Sequence, residues 1–220
     1  MSTANILLDI GKRQHAGEAV GILSVCSSNS YVLKAALKAI QGSESVILVE
    51  ATSNQVNQYG GYTGMKPADF STYLRDLQKT YGLKPGQVLL GGDHLGPNPW
   101  KNEPSDIAME KARQMIVDYV GAGMVKIHLD ASMNLGGDGK TPISPQVIAS
   151  RTAELAQAAE GAYAKYKGVV KDAMAPVYVF GTEVPVPGGV QGEDEGLQVT
   201  TPEDFAETVS LTKEAFFTGG

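Results

Sequence analysis

A chain of 220 residues, 42% hydrophobic and 19% charged, has the composition of a globular protein with one sizeable core. Its net charge of −6, with no run of Lys and Arg, argues against nucleic acid and anionic membrane as partners. No stretch approaches the roughly 18 apolar residues of a spanning helix. The N-terminus lacks the basic region of a secretory signal, and the single cysteine excludes an internal disulfide, so a cytoplasmic location is expected.

Residues 1 to 20 read as a leading helix carrying Lys12, Arg13 and His15, and Gly21 to Ser27 as the first strand, with Cys26 packed inside it. Asn29 or Ser30 caps a helix through Ala39. Ser45 to Thr52 is a continuous β-branched strand, followed by a long polar loop to Pro67. Pro67-Ala68-Asp69 opens a helix through Tyr81. Gln87 to Leu90 is an apolar run that stops on Gly91-Gly92-Asp93-His94, which is how a buried parallel strand ends at a site. A helix follows from Glu103 to Val120, closed by Gly121 and Gly123. Met124 to Ser132 is the fourth strand, and a Gly-rich loop spans Asn134 to Pro142. Pro145 to Lys167 is a long Ala-rich helix, and Pro176 to Pro185 the fifth strand. The acidic tract Gln191 to Gly196 reads as a surface loop, and Thr201-Pro202-Glu203-Asp204 as a helix start.

Five strand-then-helix units without a hairpin signal imply an α/β fold with parallel pairing. Either a doubly wound open sheet or a (β/α)8 barrel fits. No internal linker appears, so residues 1–220 are read as a single domain. A complete barrel takes about 250 residues, so the barrel reading implies that this chain is its N-terminal portion, about five units.

Polar chemistry recurs at the C-terminal end of every strand. The first offers Ser24, Cys26 and Ser27; the second Glu50, Thr52 and Asn54; the third Asp93 and His94. The fourth carries His128 and Asp130 two residues apart, hence on one face, and the fifth ends at Glu183. Asp93 can move a proton, and an imidazole can bind a metal or a substrate oxygen. Buried in a parallel core, these groups must pair or bind something; ringed round one mouth, they could share a metal and a polar substrate. Gly136 to Thr141 ends like a phosphate loop, but Asn134 stands where that motif needs glycine, and Pro142 and Pro145 interrupt the helix it should open. Nucleotide binding is not expected.

The runs Val49 to Gln58, Gly60 to Met65, Gly91 to Pro97, Lys126 to Met133 and Gly181 to Gly189 closely resemble the non-catalytic (Z) subunit family of tagatose-1,6-bisphosphate aldolase, some members of which carry the label tagatose-6-phosphate kinase. The resemblance implies a (β/α)8 TIM barrel related to class II aldolases. It also implies a ketose phosphate substrate, a catalytic aldolase subunit as partner, and an oligomer. In class II aldolases a third strand ends in a proton-transferring Asp and a zinc-ligating His, which Asp93 and His94 match. Glu183 before Gly188-Gly189 matches their fifth strand. The expected site therefore has Asp93 and Glu183 as catalytic residues, and a divalent metal, zinc by resemblance, on His94 and His128. Glu50, Asn54, Asp130, Ser132, Gly188 and Gly189 are the expected substrate contacts. His128 has no counterpart among the aldolase ligands, and no histidine follows it. Three functions stay open at this point: a subunit supporting a catalytic aldolase, a metal-dependent ketose-phosphate enzyme such as a tagatose 6-phosphate 4-epimerase, and a binding module for sugar phosphates.

Overall fold

Strands and helices alternate throughout the computed structural model, which describes residues 6–139, 143–181 and 201–218. The elements are α1 (Ile6–His15), β1 (Leu23–Cys26), α2 (Ser30–Ala39), β2 (Ile47–Thr52), α3 (Pro67–Thr80) and β3 (Val88–Leu95). They continue as α4 (Ser105–Gly121), β4 (Lys126–Leu129), α5 (Pro145–Val169), β5 (Val177–Phe180) and α6 (Pro202–Thr218). Local chemistry starts α2, α3 and α5 where the sequence predicts. The Asn29 side chain accepts hydrogen bonds from the backbone N–H groups of Tyr31 and Val32, at 2.9 and 3.3 Å. Asp69 accepts from Lys66 N–H at the start of α3, and Ser144 caps α5 ahead of Pro145.

All strand pairs are parallel, in the order β1-β2-β3-β4-β5. A doubly wound sheet reverses its strand order at a switch point; this one never does. Repeated right-handed crossovers in one direction place successive helices on the same face, which is how a (β/α) barrel is wound. Residue alternation separates the two faces. Val49, Ala51, Leu90, Ile127 and Leu129 join Leu37, Phe70, Leu74, Met115, Ile116 and Leu155 from the helices in the main core. On the other, inner face, Leu48, Leu89 and Val125 form a small cluster with Ile6 and Leu7 of α1. The polar residues of the strands lie further along that inner face.

The structure revises several predicted boundaries. The third strand runs five residues past Leu90, to Leu95, and the fourth shrinks to Lys126–Leu129. Cys26, expected to pack in the core, is exposed, because β1 turns that side of its backbone to the inner face beside Glu50. Trp100 packs into the core, 9% exposed and edge-to-face with Tyr59 at 6.0 Å. The Gly136 segment is a clamp between loops. Gly136 N–H donates to the Glu103 carbonyl at 2.9 Å, and Arg151 grips both oxygens of Asp138. Lys140, Thr141, Pro142 and the predicted loop 191–196 lie outside the described residues.

Candidate functional site

Strand register builds the site. Cys26, Glu50, Gly91, Lys126 and Val177 occupy one row across all five strands. In that row Lys126 Nζ pairs with the Glu50 carboxylate, which Ser24 Oγ, two residues before Cys26 on β1, also hydrogen-bonds. Lys126 Nζ also reaches Asp93 Oδ1, one step higher on β3, at 3.1 Å. Asp93 Oδ1 in turn lies 2.7 Å from His128 Nδ1.

Consecutive strand residues normally face opposite sides, yet Asp93 and His94 both serve the site. The β3–β4 register shifts between Gly92 and Leu95, and His94 takes φ +46°, alone among the described non-glycine residues in the left-handed region. That conformation costs on the order of 1 kcal/mol for an L-residue, and it turns the imidazole back toward its neighbour. His94 Nε2 is 4.0 Å from Asp93 Oδ2, and the His94 and His128 rings stand 4.6 Å apart. Behind them Asp130, 1% exposed, meets His94 Nδ1 at 2.8 Å through one oxygen. Its other oxygen accepts from the Ser132 N–H and hydroxyl, at 3.1 and 2.6 Å.

These contacts assign the tautomers. An ionised Asp93 needs donors, so His128 Nδ1 carries the proton; the His94 N–H, 3.3 Å from that nitrogen, then has no lone pair to reach there. His94 Nδ1–H likewise donates to Asp130. With both rings neutral, the Nε2 lone pairs are left free, the arrangement by which carboxylates orient metal-binding histidines. Asp93, His94 and His128 can bring one ligand atom each within 4.8 Å of one another, a nitrogen and oxygen set that suits a divalent ion.

The electrostatics keep both carboxylates ionised. Burial pushes the Asp93 carboxyl up, but the His128 hydrogen bond and the Lys126 charge outweigh it and hold the group well below the usual carboxylate range. Asp130 is also raised by burial and lowered by more by its His94 and Ser132 donors. His94 is raised, chiefly by its bond to Asp130. The Cys26 thiol, though the residue is exposed, is pushed up to about 12 by partial desolvation and then by Asp93, which disfavours the thiolate. A test follows from Asp130. Its folded pKa lies below the unfolded value of about 3.9, so its contribution is present above that value and vanishes as pH falls through the folded one. Asp130→Asn is expected to flatten the decline of Tm below about pH 4, measured by thermal melts across pH; an unchanged acid limb would contradict the pairing.

The cluster thus brings together Glu50, Asp93, His94, His128, Asp130 and Ser132. Asn54 lies in the turn that follows the C-terminal end of β2, where its carbonyl accepts from Tyr62 N–H at 3.0 Å. Glu183, Gly188 and Gly189 lie outside the described residues. Lys126 was missed by sequence reasoning. The signal was available: it stands two residues before His128 in an otherwise apolar strand, hence on the same face. A cavity of about 610 Å³ opens on Ser24, Cys26, Glu50, Asp93 and Lys126. Another, about 580 Å³, lies at the N-terminal ends of β3 and β4 beside Arg75 and holds none of the cluster.

Comparison with known proteins gives one consistent result. The model of the "D-tagatose-1,6-bisphosphate aldolase subunit GatZ/KbaZ-like" family matches residues 7–220. The D-tagatose-1,6-bisphosphate aldolase subunit GatZ of Salmonella gallinarum is 48% identical over 208 residues, which are 94% of this chain and 48% of that protein. The Klebsiella pneumoniae protein of that name is 46% identical over the same shares. A crystal structure from Sinorhizobium meliloti 1021, titled a probable tagatose 6 phosphate kinase, superposes with a TM-score of 0.75 at 41% identity, covering 90% of this chain and 45% of that one. The chain spans about half the length of the relatives it matches. With its family model matched over all but the first six residues, the chain belongs to the D-tagatose-1,6-bisphosphate aldolase subunit GatZ/KbaZ-like family.

Proposed function

We propose that the protein is a subunit of a D-tagatose-1,6-bisphosphate aldolase, cytoplasmic and oligomeric, which supports a separate catalytic subunit and binds ketose phosphate at the Asp93–His94–His128 cluster. The observation that carries the reading is 48% identity, across 94% of this chain, with a subunit of that name. Residues 1–220 would form one domain, the N-terminal part of a (β/α)8 barrel; five consecutive parallel units support this. Among the described residues, no helix is long and apolar enough to cross a membrane. Added to the catalytic subunit, the full natural chain should raise its cleavage of tagatose 1,6-bisphosphate or its melting temperature. If neither moves, the reading fails.

One feature of the site favours a second reading, an enzyme in its own right. Two imidazoles with their Nε2 atoms freed by carboxylates, around an ionised Asp93, are more than a scaffold needs. His94 and His128 would hold a divalent ion, zinc by donor type, whose charge would polarise a ketose carbonyl. Asp93, fixed through Oδ1, would take and return the hydroxyl proton at Oδ2 during retro-aldol cleavage and re-addition. Glu183 and the Gly188-Gly189 pair would complete the proton and phosphate contacts, beside Glu50, Asn54 and Ser132. Turnover of tagatose 6-phosphate by the isolated full natural chain with added metal is the expected result; inertness with both this substrate and the bisphosphate would end it. A kinase role finds no support, since the Gly136 and Asp138 backbone is spent on Glu103 and Leu135.

A further inference from the structure

We infer that Lys126 is a positioning residue: it ties Glu50 to Asp93 through a gap opened by Gly91, and so fixes both the second oxygen of Asp93 and the ring of His128. This rests on the proposed ligand site at Asp93, His94 and His128.

In a parallel barrel, alternate strands fill alternate layers. Glu50 of β2 and Lys126 of β4 are not neighbours; β3 runs between them, and its residue in their row is Gly91. A Cβ there would stand 3.1 Å from Leu48 Cδ1, 3.2 Å from Glu50 Cγ and 3.2 Å from the Lys126 carbonyl. Any larger side chain would fill the space through which the ammonium and the carboxylate meet. The absent side chain therefore lets an ion pair cross a strand.

The pair is well enclosed. The side chains of Lys126 and Glu50 are 12% and 4% exposed. Glu50 takes the Ser24 hydroxyl on its other oxygen, so the carboxylate cannot turn away from Lys126 without losing a donor. Lys126 has a second carboxylate in reach, Asp93 Oδ1 at 3.1 Å. That oxygen is shared with His128 Nδ1. With Oδ1 held by two donors, Asp93 cannot rotate, and Oδ2 stays on the side of the His94 Nε2 lone pair, 4.0 Å away. Losing the ammonium would free Asp93 to swing and release the His128 ring, while Glu50 would be left buried without its counter-ion.

Two effects of removing Lys126 oppose each other, and their sign is the test. Deleting a positive charge beside a cation site should by itself tighten cation binding. Losing the hold on Asp93 and His128 should loosen it, since the groups that hydrogen-bond metal ligands and hold them in place are worth about 10- to 100-fold in affinity. Positioning predicts that the second effect wins.

The experiment titrates Co2+ into the full natural chain and follows the visible absorption band that reports coordination geometry. The unmodified protein is expected to bind, and His94→Ala to abolish the band. Lys126→Met should weaken binding at least about tenfold and change the band shape. Lys126→Arg, which keeps a donor cation, should recover most of both, and Glu50→Gln should weaken binding in the same direction. Melting temperatures run alongside separate loss of fold from loss of position; should Lys126→Met not fold, Glu50→Gln and Lys126→Arg carry the comparison. Binding as tight as or tighter than the unmodified protein's in Lys126→Met, with an unaltered band, overturns the positioning role and leaves the metal site standing. No Co2+ band in the unmodified protein overturns the metal site itself, and this inference with it.

Discussion

Replacing Gly96 by alanine is expected to destabilise the protein by about 3 kcal/mol, the upper end of ordinary overpacking, and to disconnect His94 from Asp130. Gly96 follows directly on β3, where the chain crosses the end of β4. A Cβ at that position would fall inside the Asp130 carbonyl oxygen and only 2.8 Å from its carbonyl carbon. Backbone cannot swing aside as a long side chain can. Asp130 is also anchored there by its own N–H, which donates to the Leu95 carbonyl at 3.0 Å. The substitution must therefore push apart the two strand ends that carry the site. Urea unfolding should show a lower midpoint with an unchanged m-value. A midpoint within the equivalent of about 0.5 kcal/mol of the parent's, the range of a neutral surface change, would mean the crossing is looser than the structure has it.

Asp93→Asn is the second substitution with a large expected effect. Asparagine keeps the shape of the side chain but removes its charge and its ability to accept a proton. If Asp93 transfers the hydroxyl proton, turnover of tagatose 6-phosphate should fall by roughly 10²- to 10⁴-fold. Ketose-phosphate binding, measured calorimetrically, should survive within a few-fold. Both the Lys126 and His128 donors would then face a neutral amide in place of a carboxylate, so some loss of thermal stability is expected as well. Turnover that stays within about twofold would remove Asp93 from the chemistry and leave its interactions purely structural. Binding and turnover lost together would instead show that the charge is needed to assemble the site. The result also separates an enzyme from a module that only binds sugar phosphate.

Much of the architecture follows from short-range pattern alone. Asn29, Asp69 and Ser144 start their helices in the positions the sequence predicts, because a cap needs only the next few backbone N–H groups. The apolar runs at 45–52 and 87–90 mark buried parallel strands for an equally local reason, and the Asp93-His94 ending marks where the site lies. Tertiary structure alone decided the rest. The strand order β1-β2-β3-β4-β5, which selects barrel-type winding over a doubly wound sheet, is a relation between segments and leaves no local trace. The left-handed backbone of His94 is not legible in a histidine, which lacks glycine's freedom there; the register slip beside β4 imposes it. Lys126 meets Glu50 across 76 residues of sequence, and only because a glycine occupies the row between them. Composition and periodicity report what each residue wants from its immediate neighbours. Which charged groups become partners depends on register between strands far apart in the chain, and folding alone sets that register.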